Sequence, residues 1–280
     1  MAWRRVAMAF AVLAGAGCVP AAATQPVDTG SSCVTALHEE TEDAGPLPSR
    51  LTSLLTAQGQ ELLDGCTACR NYPAITASFT TQVTQAFCGV ASSITVLNAS
   101  TAPKPLTDPY QPYPYFTQCN IFNAKARARL DLDTVSNEGL TLSQATWLLN
   151  AQEGVKATCW HAGPASGAPV ALGVPGCETV RSSEQFRRVA RDTLRSPQHY
   201  LLVNFSRATL SDDNQGGGHF SPLAAFNRGA DDLLVMDVAR YKYPPFWVDT
   251  DLLWQAMATT DSSSNRHRGY IVVEVAPQSP

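Results

Sequence analysis

The sequence predicts an α+β fold, on three observations. In the first half, apolar residues recur at helical spacing behind residues that cap helices. From Tyr200 onward the apolar runs become short and β-rich, and Asp, Asn and Gly turns separate them too closely for intervening helices. Hydrophobic residues make up 44% of the 280 residues and charged ones 16%, enough apolar material for a packed core. Helices first and an antiparallel sheet second make an α+β domain, and no internal repeat interrupts that order. The length allows one large domain or two small ones. The formal net charge of −4 gives no electrostatic reason to expect a nucleic-acid partner.

Residues 1–23 read as an export signal. Arg4 and Arg5 precede the apolar stretch Val6–Leu13, and the small residues Ala21-Ala22-Ala23 supply a cleavage site. The stretch is too short for a bilayer, which needs about 20 apolar residues, and no later segment reads as a membrane span. Cleavage after Ala23 leaves 257 residues, with 18 Lys+Arg against 24 Asp+Glu and a net charge of −6. The expected address is the periplasm. Lipidation at Cys18 is the alternative, disfavoured because the usual leucine three positions earlier is missing. Residues 24–49, rich in Thr, Ser, Glu, Asp and Pro, read as a flexible leader, and residues 50–280 as the domain.

Leu51, Leu54, Leu55 and Leu62 suggest helical spacing that breaks near Gly65. Cys88–Asn98 reads as a helix with Val90, Ala91, Ile94 and Leu97 on one face. Five prolines within 102–114 make that stretch loop or extended chain. Thr141 and Gln144 form a capping box ahead of a helix to Gln152, stopped by Gly154. Ser182 opens another helix, whose face carries Phe186, Val189, Ala190, Thr193 and Leu194, with Pro197 just beyond it. Tyr200–Phe205, His219–Phe226, Leu233–Val238 and Tyr270–Val275 then read as strands, with a helix at Asp251–Met257 before the last.

A thiol at the start of a helix feels unpaired backbone N–H groups and the positive end of the dipole, which favour thiolate. Cys88 has that setting. A cysteine of an exported protein is more often half of a disulfide; loss of Cys18 leaves seven, an odd number, but parity alone does not single out Cys88. A thiolate nucleophile needs a base held by a third group. His219, behind three glycines at the start of a strand, is the candidate base, although a lone histidine is more often a satisfied structural residue. Asp237 ends the apolar run Leu233–Met236, where a carboxylate must be hydrogen-bonded or exposed, and as the orienter of His219 it would be both. The order Cys, His, Asp on a helix start and two strands is that of papain-like enzymes. Gln82 lies six residues before Cys88, where such enzymes place an oxyanion-hole glutamine.

Four stretches then make the likeness specific: Gln82–Ser92, Gly217–Asn227, Met236–Val248 and Thr260–Gly269. In that order, with weaker similarity between them over about residues 50–275, they resemble the catalytic domain of phytochelatin synthase, the glutathione γ-glutamylcysteinyltransferase family. The likeness is nearest to its short bacterial members. The resemblance implies a papain-like fold in which Cys88 attacks the Cys–Gly bond of glutathione, releases glycine and carries a γ-glutamylcysteinyl thioester. It gives His219 the proton transfers, Asp237 the hold on His219, and Gln82 the oxyanion. Asp261 and Arg268 match the positions that grip the γ-glutamyl amine and carboxylate; without the motif they would read as an ordinary surface pair. Water as acceptor gives γ-glutamylcysteine, and a second glutathione gives phytochelatin. Acylation is expected to need no cofactor, while heavy-metal ions enter as glutathione thiolates. The cysteine-rich C-terminal domain of plant enzymes has no counterpart, so hydrolysis with weak synthesis is the expected balance. Partners are then glutathione and metal–glutathione complexes, with a dimer left open. The other readings are a catalytically silent periplasmic binder of glutathione or thiol–metal adducts, and a papain-like peptidase of other peptides.

The chain departs from short relatives in its extra cysteines. Cys66 and Cys69 have the spacing of a redox or zinc site, but no second pair accompanies them, so a disulfide is the better reading. Residues 162–181 look like an insertion that Cys159 and Cys177 bracket and could close. Six cysteines allow 15 connectivities, and only these two pairings are suggested.

Overall fold

The computed structural model describes residues 46–107, 110–163, 176–180 and 182–276. The expected export signal, most of the leader and most of the 162–181 insertion lie outside these residues. The end of the leader is fastened: Ser49 donates through N–H and Oγ to Asp212, both at 2.8 Å.

In chain order the elements are β1 (Thr52–Ser53), α1 (Ala57–Asp64), α2 (Tyr72–Ser78), α3 (Cys88–Ala99), α4 (Ala124–Arg127), α5 (Leu132–Glu138) and α6 (Leu142–Asn150). They continue with β2 (Val155–Ala162), β3 (Glu178–Val180), α7 (Ser183–Arg195), β4 (His199–Ser206), α8 (Arg207–Leu210), β5 (Gly218–Asn227) and β6 (Asp232–Val235). The last are β7 (Phe246–Asp249), α9 (Thr250–Met257), β8 (Thr260–Asp261), β9 (Arg266–His267) and β10 (Gly269–Val275). Eight strands form one sheet in the order β1-β7-β6-β5-β4-β10-β2-β3, and β8 pairs with β9 separately. The mixed α+β architecture therefore follows the expectation. Every pairing in the large sheet is antiparallel except β2 with β3, which is parallel. A parallel neighbour needs a crossover connection, and the bracketed insertion between these two strands supplies one.

The period-two alternation of the strands sends side chains to two cores. Tyr200, Leu202, Phe220, Ala224, Ile271 and Val273 pack beneath α3 and α6. Leu201, Val203, Phe205, Leu223, Tyr270 and Val272 pack against α7 and α9. Helix α3 was expected to bury one face, yet all residues from Cys88 to Leu97 are buried. Two of its polar members are satisfied within the helix, Ser93 Oγ donating to Gly89 O (2.7 Å) and Thr95 Oγ1 to Ala91 O (2.8 Å), whereas the buried Ser92 Oγ has no partner among the described residues. A nucleophile on a helix enclosed on all sides has little freedom to wander.

Some local readings need correction. The leucines at 51–55 do not begin a helix. Thr52 and Ser53 pair with Trp247 and Phe246, Leu55 is exposed, and Thr56 caps α1 by accepting from Gly59 N–H. The capping box of α6 is present in both directions, but the helix ends at Asn150 rather than Gln152. The expected strand to Val238 leaves the ladder after Val235, which carries Asp237 inward rather than to an exposed strand end.

Candidate active site

Three segments converge on Cys88. It is the first residue of α3, and the first bond of the helix runs from Ala91 N–H to Phe87 O (2.8 Å). The N–H groups of Cys88, Gly89 and Val90 therefore precede the ladder, and the N-cap Phe87 offers them no side-chain acceptor. The stretch before the helix is tied to the segment carrying Asp237, because Gln82 N–H donates to Val238 O (2.9 Å). His219 enters from the start of β5, its ring edge-on to Phe205 at 5.6 Å.

Within this enclosure His219 Nε2 lies 2.9 Å from Asp237 Oδ1. A carboxylate only accepts, so Nε2 carries the proton and Nδ1 is left to face the thiol, with which His219 is hydrogen-bonded. Asp237 is fully buried and its Oδ1 also accepts from Ala239 N–H at 2.9 Å. Arg207 Nη2 lies 2.8 Å from each carboxylate oxygen and donates to Oδ1. Burial opposes ionisation of Asp237, but the charges of His219 and Arg207 outweigh it and hold the carboxyl below its ordinary value. Cys88 behaves alike. Burial pushes the thiol up, whereas the His219 bond and charge, the Phe220 N–H and Arg207 together bring it below its ordinary value. For His219, burial and Arg207 push the ring down, and Asp237 with Cys88 raises it above its ordinary value. Both shifts favour the thiolate–imidazolium form, and the two steps in which protons leave belong to the pair rather than to either residue.

Gln82 is buried beside this array. Its Nε2 faces three acceptors: Thr84 O (2.9 Å), Gln85 O (3.0 Å) and the Tyr241 hydroxyl (3.0 Å). The two carbonyls fix which end is nitrogen, since an amide oxygen there would meet them lone pair to lone pair. Its Oε1 is buried without a partner.

Asp261 and Arg268 flank the small β8/β9 sheet: Asp261 ends β8 at the turn, and Arg268 lies just beyond the other end of the ladder, where its N–H donates to Thr259 O. Asp261 pairs with Arg266 in the ladder and accepts from Ser264 Oγ at 2.7 Å. Arg268 spends Nη1 on Thr259 Oγ1 (3.0 Å) and Thr260 O (2.6 Å), while its Nε is buried without a partner. That Nε and Nη2 lie only 2.9 and 3.0 Å from where a Cβ on Gly218 would stand. The unspent side of the guanidinium, the edge that grips a carboxylate with two parallel bonds, thus runs along the residue next to His219.

Arg207 and Tyr241 are functional neighbours that sequence reasoning missed. The glycines offered a signal for the first. Gly216, at φ +117°, passes so near that a Cβ would stand 2.7 Å from Arg207 Cβ, and Arg207 N–H donates to Gly217 O (2.9 Å). Tyr241 carried no signal beyond its place in Met236–Val248.

The cysteine readings have a structural counterpart. Cys66 is bonded to Cys69 and Cys159 to Cys177, Cys119 is also disulfide-bonded, and among the described residues the free cysteine is Cys88. Trp160, beside the bracketed loop, stacks on Tyr270 at 5.3 Å. Among the described residues no group of three His, Cys, Asp or Glu could hold a metal ion, and no helix is long and apolar enough to cross a membrane.

The family model of phytochelatin synthase matches residues 43–270. The chain belongs to the phytochelatin synthase family. It is 30% identical over 206 residues to glutathione gamma-glutamylcysteinyltransferase 2 of Arabidopsis thaliana, covering 72% of this chain and 39% of that one. Against glutathione gamma-glutamylcysteinyltransferase 3 of Lotus japonicus it is 30% identical over 210 residues, 72% and 37% of the two chains. The Schizosaccharomyces pombe glutathione gamma-glutamylcysteinyltransferase is 26% identical over 208 residues, 73% and 43%. The chain thus spans less than half the length of each of these relatives, and the residues matched by the family model include Cys88, His219, Asp237 and Arg207.

Proposed function

We propose that this chain is a papain-like thiol enzyme that removes glycine from glutathione and holds the γ-glutamylcysteinyl group as a thioester on Cys88. The observation that carries the reading is the buried Cys88–His219–Asp237 line with Arg207 closing its far end. Cys88 Sγ adds to the carbonyl carbon of the Cys–Gly bond, and the electron pair of the double bond moves to oxygen. As the C–N bond breaks, the glycine nitrogen takes the proton from His219 Nδ1. His219, neutral again, accepts a proton from water or from the α-amino group of a second glutathione. The attacking oxygen or nitrogen bonds to the thioester carbon, the C–S bond breaks to return the Cys88 thiolate, and γ-glutamylcysteine or the lengthened peptide is released. Asp237 keeps the ring in one orientation throughout. The unspent edge of Arg268 suits the α-carboxylate of a γ-glutamyl group and Asp261 its ammonium, a charge pattern that an α-peptide interior lacks. Metal ions enter as thiolates of the substrate, and the protein is exported to the periplasm, with Thr24 its mature N-terminus.

Incubation with glutathione, followed by mass spectrometry of the products and of the trapped enzyme, tests this. Expected are glycine, γ-glutamylcysteine or longer thiol peptides, and a mass increment on Cys88. Binding of glutathione without glycine release would instead make the chain a silent binder. N-terminal sequencing of exported protein tests the compartment, and a lipidated Cys18 would replace the Thr24 reading.

A further inference from the structure

His161 lies at the end of β2, in register with Gly269 of β10, and is only 5% exposed. Its Nδ1 stands 2.5 Å from His267 O. A carbonyl only accepts, so Nδ1 carries the proton. Burial, with the charges of Arg266 and His267, holds the ring below its ordinary value against the His267 carbonyl and Asp261, so at neutral pH this proton is its only one. Nε2 is left as a lone pair, buried without a partner among the described residues. The ring's single donor is thus committed to one carbonyl. His267 reciprocates: its Nδ1 donates to Ala162 O (2.7 Å), and Ala162 N–H donates to Arg268 O (2.9 Å). The two histidines cross-tie the end of β2 to the peptide that joins His267 to Arg268.

These ties clamp Arg268. Its N–H donates to Thr259 O (2.9 Å), its carbonyl accepts from Ala162, and the carbonyl before it accepts from His161. With Nη1 spent on Thr259 Oγ1 and Thr260 O, the Nε–Nη2 edge along Gly218 is what remains. Two parallel bonds to a carboxylate need that edge fixed in direction as well as in position. Thr259 and Thr260 belong to the β8/β9 segment and would move with it, whereas His161 and Ala162 anchor it to the large sheet.

We propose that His161 is a positioning residue for substrate recognition: its Nδ1–H holds the His267 carbonyl so that the free edge of Arg268 meets the α-carboxylate of the γ-glutamyl group. The inference rests on the glutathione reading above and adds to it the residue that aims Arg268.

His161→Leu removes the donor, whereas the side-chain nitrogen of His161→Asn takes the place of Nδ1. Each is assayed for glycine release from glutathione and from 4-aminobutyryl-cysteinylglycine, which lacks only the α-carboxylate. On glutathione, His161→Leu should raise KM about tenfold with kcat within about threefold of wild type, and His161→Asn should recover most of that loss. On the analogue, which offers Arg268 nothing to grip, kcat/KM of His161→Leu should match wild type within about threefold. Should His161→Leu not fold, His161→Gln replaces it, because its nitrogen reaches the place of Nε2 and not that of Nδ1. Equal losses on the two substrates would make His161 purely structural and overturn the proposal. An unchanged KM for glutathione would do the same, as would a His161→Asn enzyme no better than His161→Leu. If wild type releases no glycine, the glutathione reading has failed, and hydrogen exchange then decides whether His161 holds Arg268. The amides of Ala162 and Arg268 should exchange at least about tenfold faster in His161→Leu than in wild type or His161→Asn. Equal protection in all three proteins would sink the tie.

Discussion

An oxygen in place of the Cys88 sulfur is too basic to ionise beside His219, so Cys88→Ser should form no thioester, release no glycine and keep its fold. Residues that act as a unit fail as a unit, so His219→Ala should be about as severe, with Asp237→Asn less complete. Near-normal turnover in the serine variant would end the assignment of the nucleophile. The coupling of Cys88 with His219 also shapes the pH profile. Below its acid limb the sulfur is protonated, and above its alkaline limb the imidazolium that must protonate glycine is lost. Because the thiol is lowered and the imidazole raised, glycine release should trace a bell spanning neutral pH. Arg207 lowers both groups, so Arg207→Ala should move both limbs to higher pH. The same change leaves Asp237 short of a charged donor and should cost about 2 kcal/mol of stability by denaturant unfolding. A bell that stays in place would show that Arg207 acts only on folding.

At the scale of elements, two glycines separate packing from function. A Cβ on Gly269 would stand 1.9 Å from Trp160 O, a backbone atom in the neighbouring strand, so Gly269→Ala must force β10 from β2. It should lower the melting temperature sharply. On Gly218 a Cβ meets only the guanidinium of Arg268. Gly218→Ala should therefore keep the melting temperature but raise the KM for glutathione. At the other end of β5, Asp232 faces Asp249 across the β6/β7 ladder. Burial first, then Asp249 and Asp231, pushes its carboxyl up to about 6. A carboxyl raised in the folded state favours folding while protonated and disfavours it as pH climbs through that value. Asp232→Asn should accordingly stabilise by about 1 kcal/mol at pH 8, allowing for partial exposure, and by nothing at pH 4. Elements with their own local chemistry were legible from sequence: α6 from its capping box, α7 from Ser182, β4 and β5 from β-rich runs. Those that exist only through a partner were not. β1 is two residues held by β7, and the parallel placement of β3 depends on β2. The site divided the same way. Cys88, His219 and Asp237 lie in motifs, whereas Arg207 reaches Asp237 only because the Gly216–Gly218 turn lets the chain close upon it.

For the molecule as a whole, the cysteines sort into joined and free. Under non-reducing conditions the exported protein should take up one equivalent of iodoacetamide, at Cys88, and lose activity. Reduction should lower the melting temperature, the Cys159–Cys177 loop accounting for about 3 kcal/mol and the short Cys66–Cys69 loop for less, while Cys88 remains reactive. Alkylation of all seven cysteines without reductant would argue for a reducing compartment instead. The Cys159–Cys177 bond has another consequence. The nucleophile belongs to the part of the chain before this bond, and the base and its carboxylate to the part after it. One backbone cut anywhere between residues 159 and 177 yields two polypeptides, neither holding a complete reactive centre, that this bond still joins. Such a nicked protein should run as one band without reductant and as two with it. The two halves are thus stapled at the seam between them, and that seam is where the molecule could be opened, labelled or divided into complementing fragments.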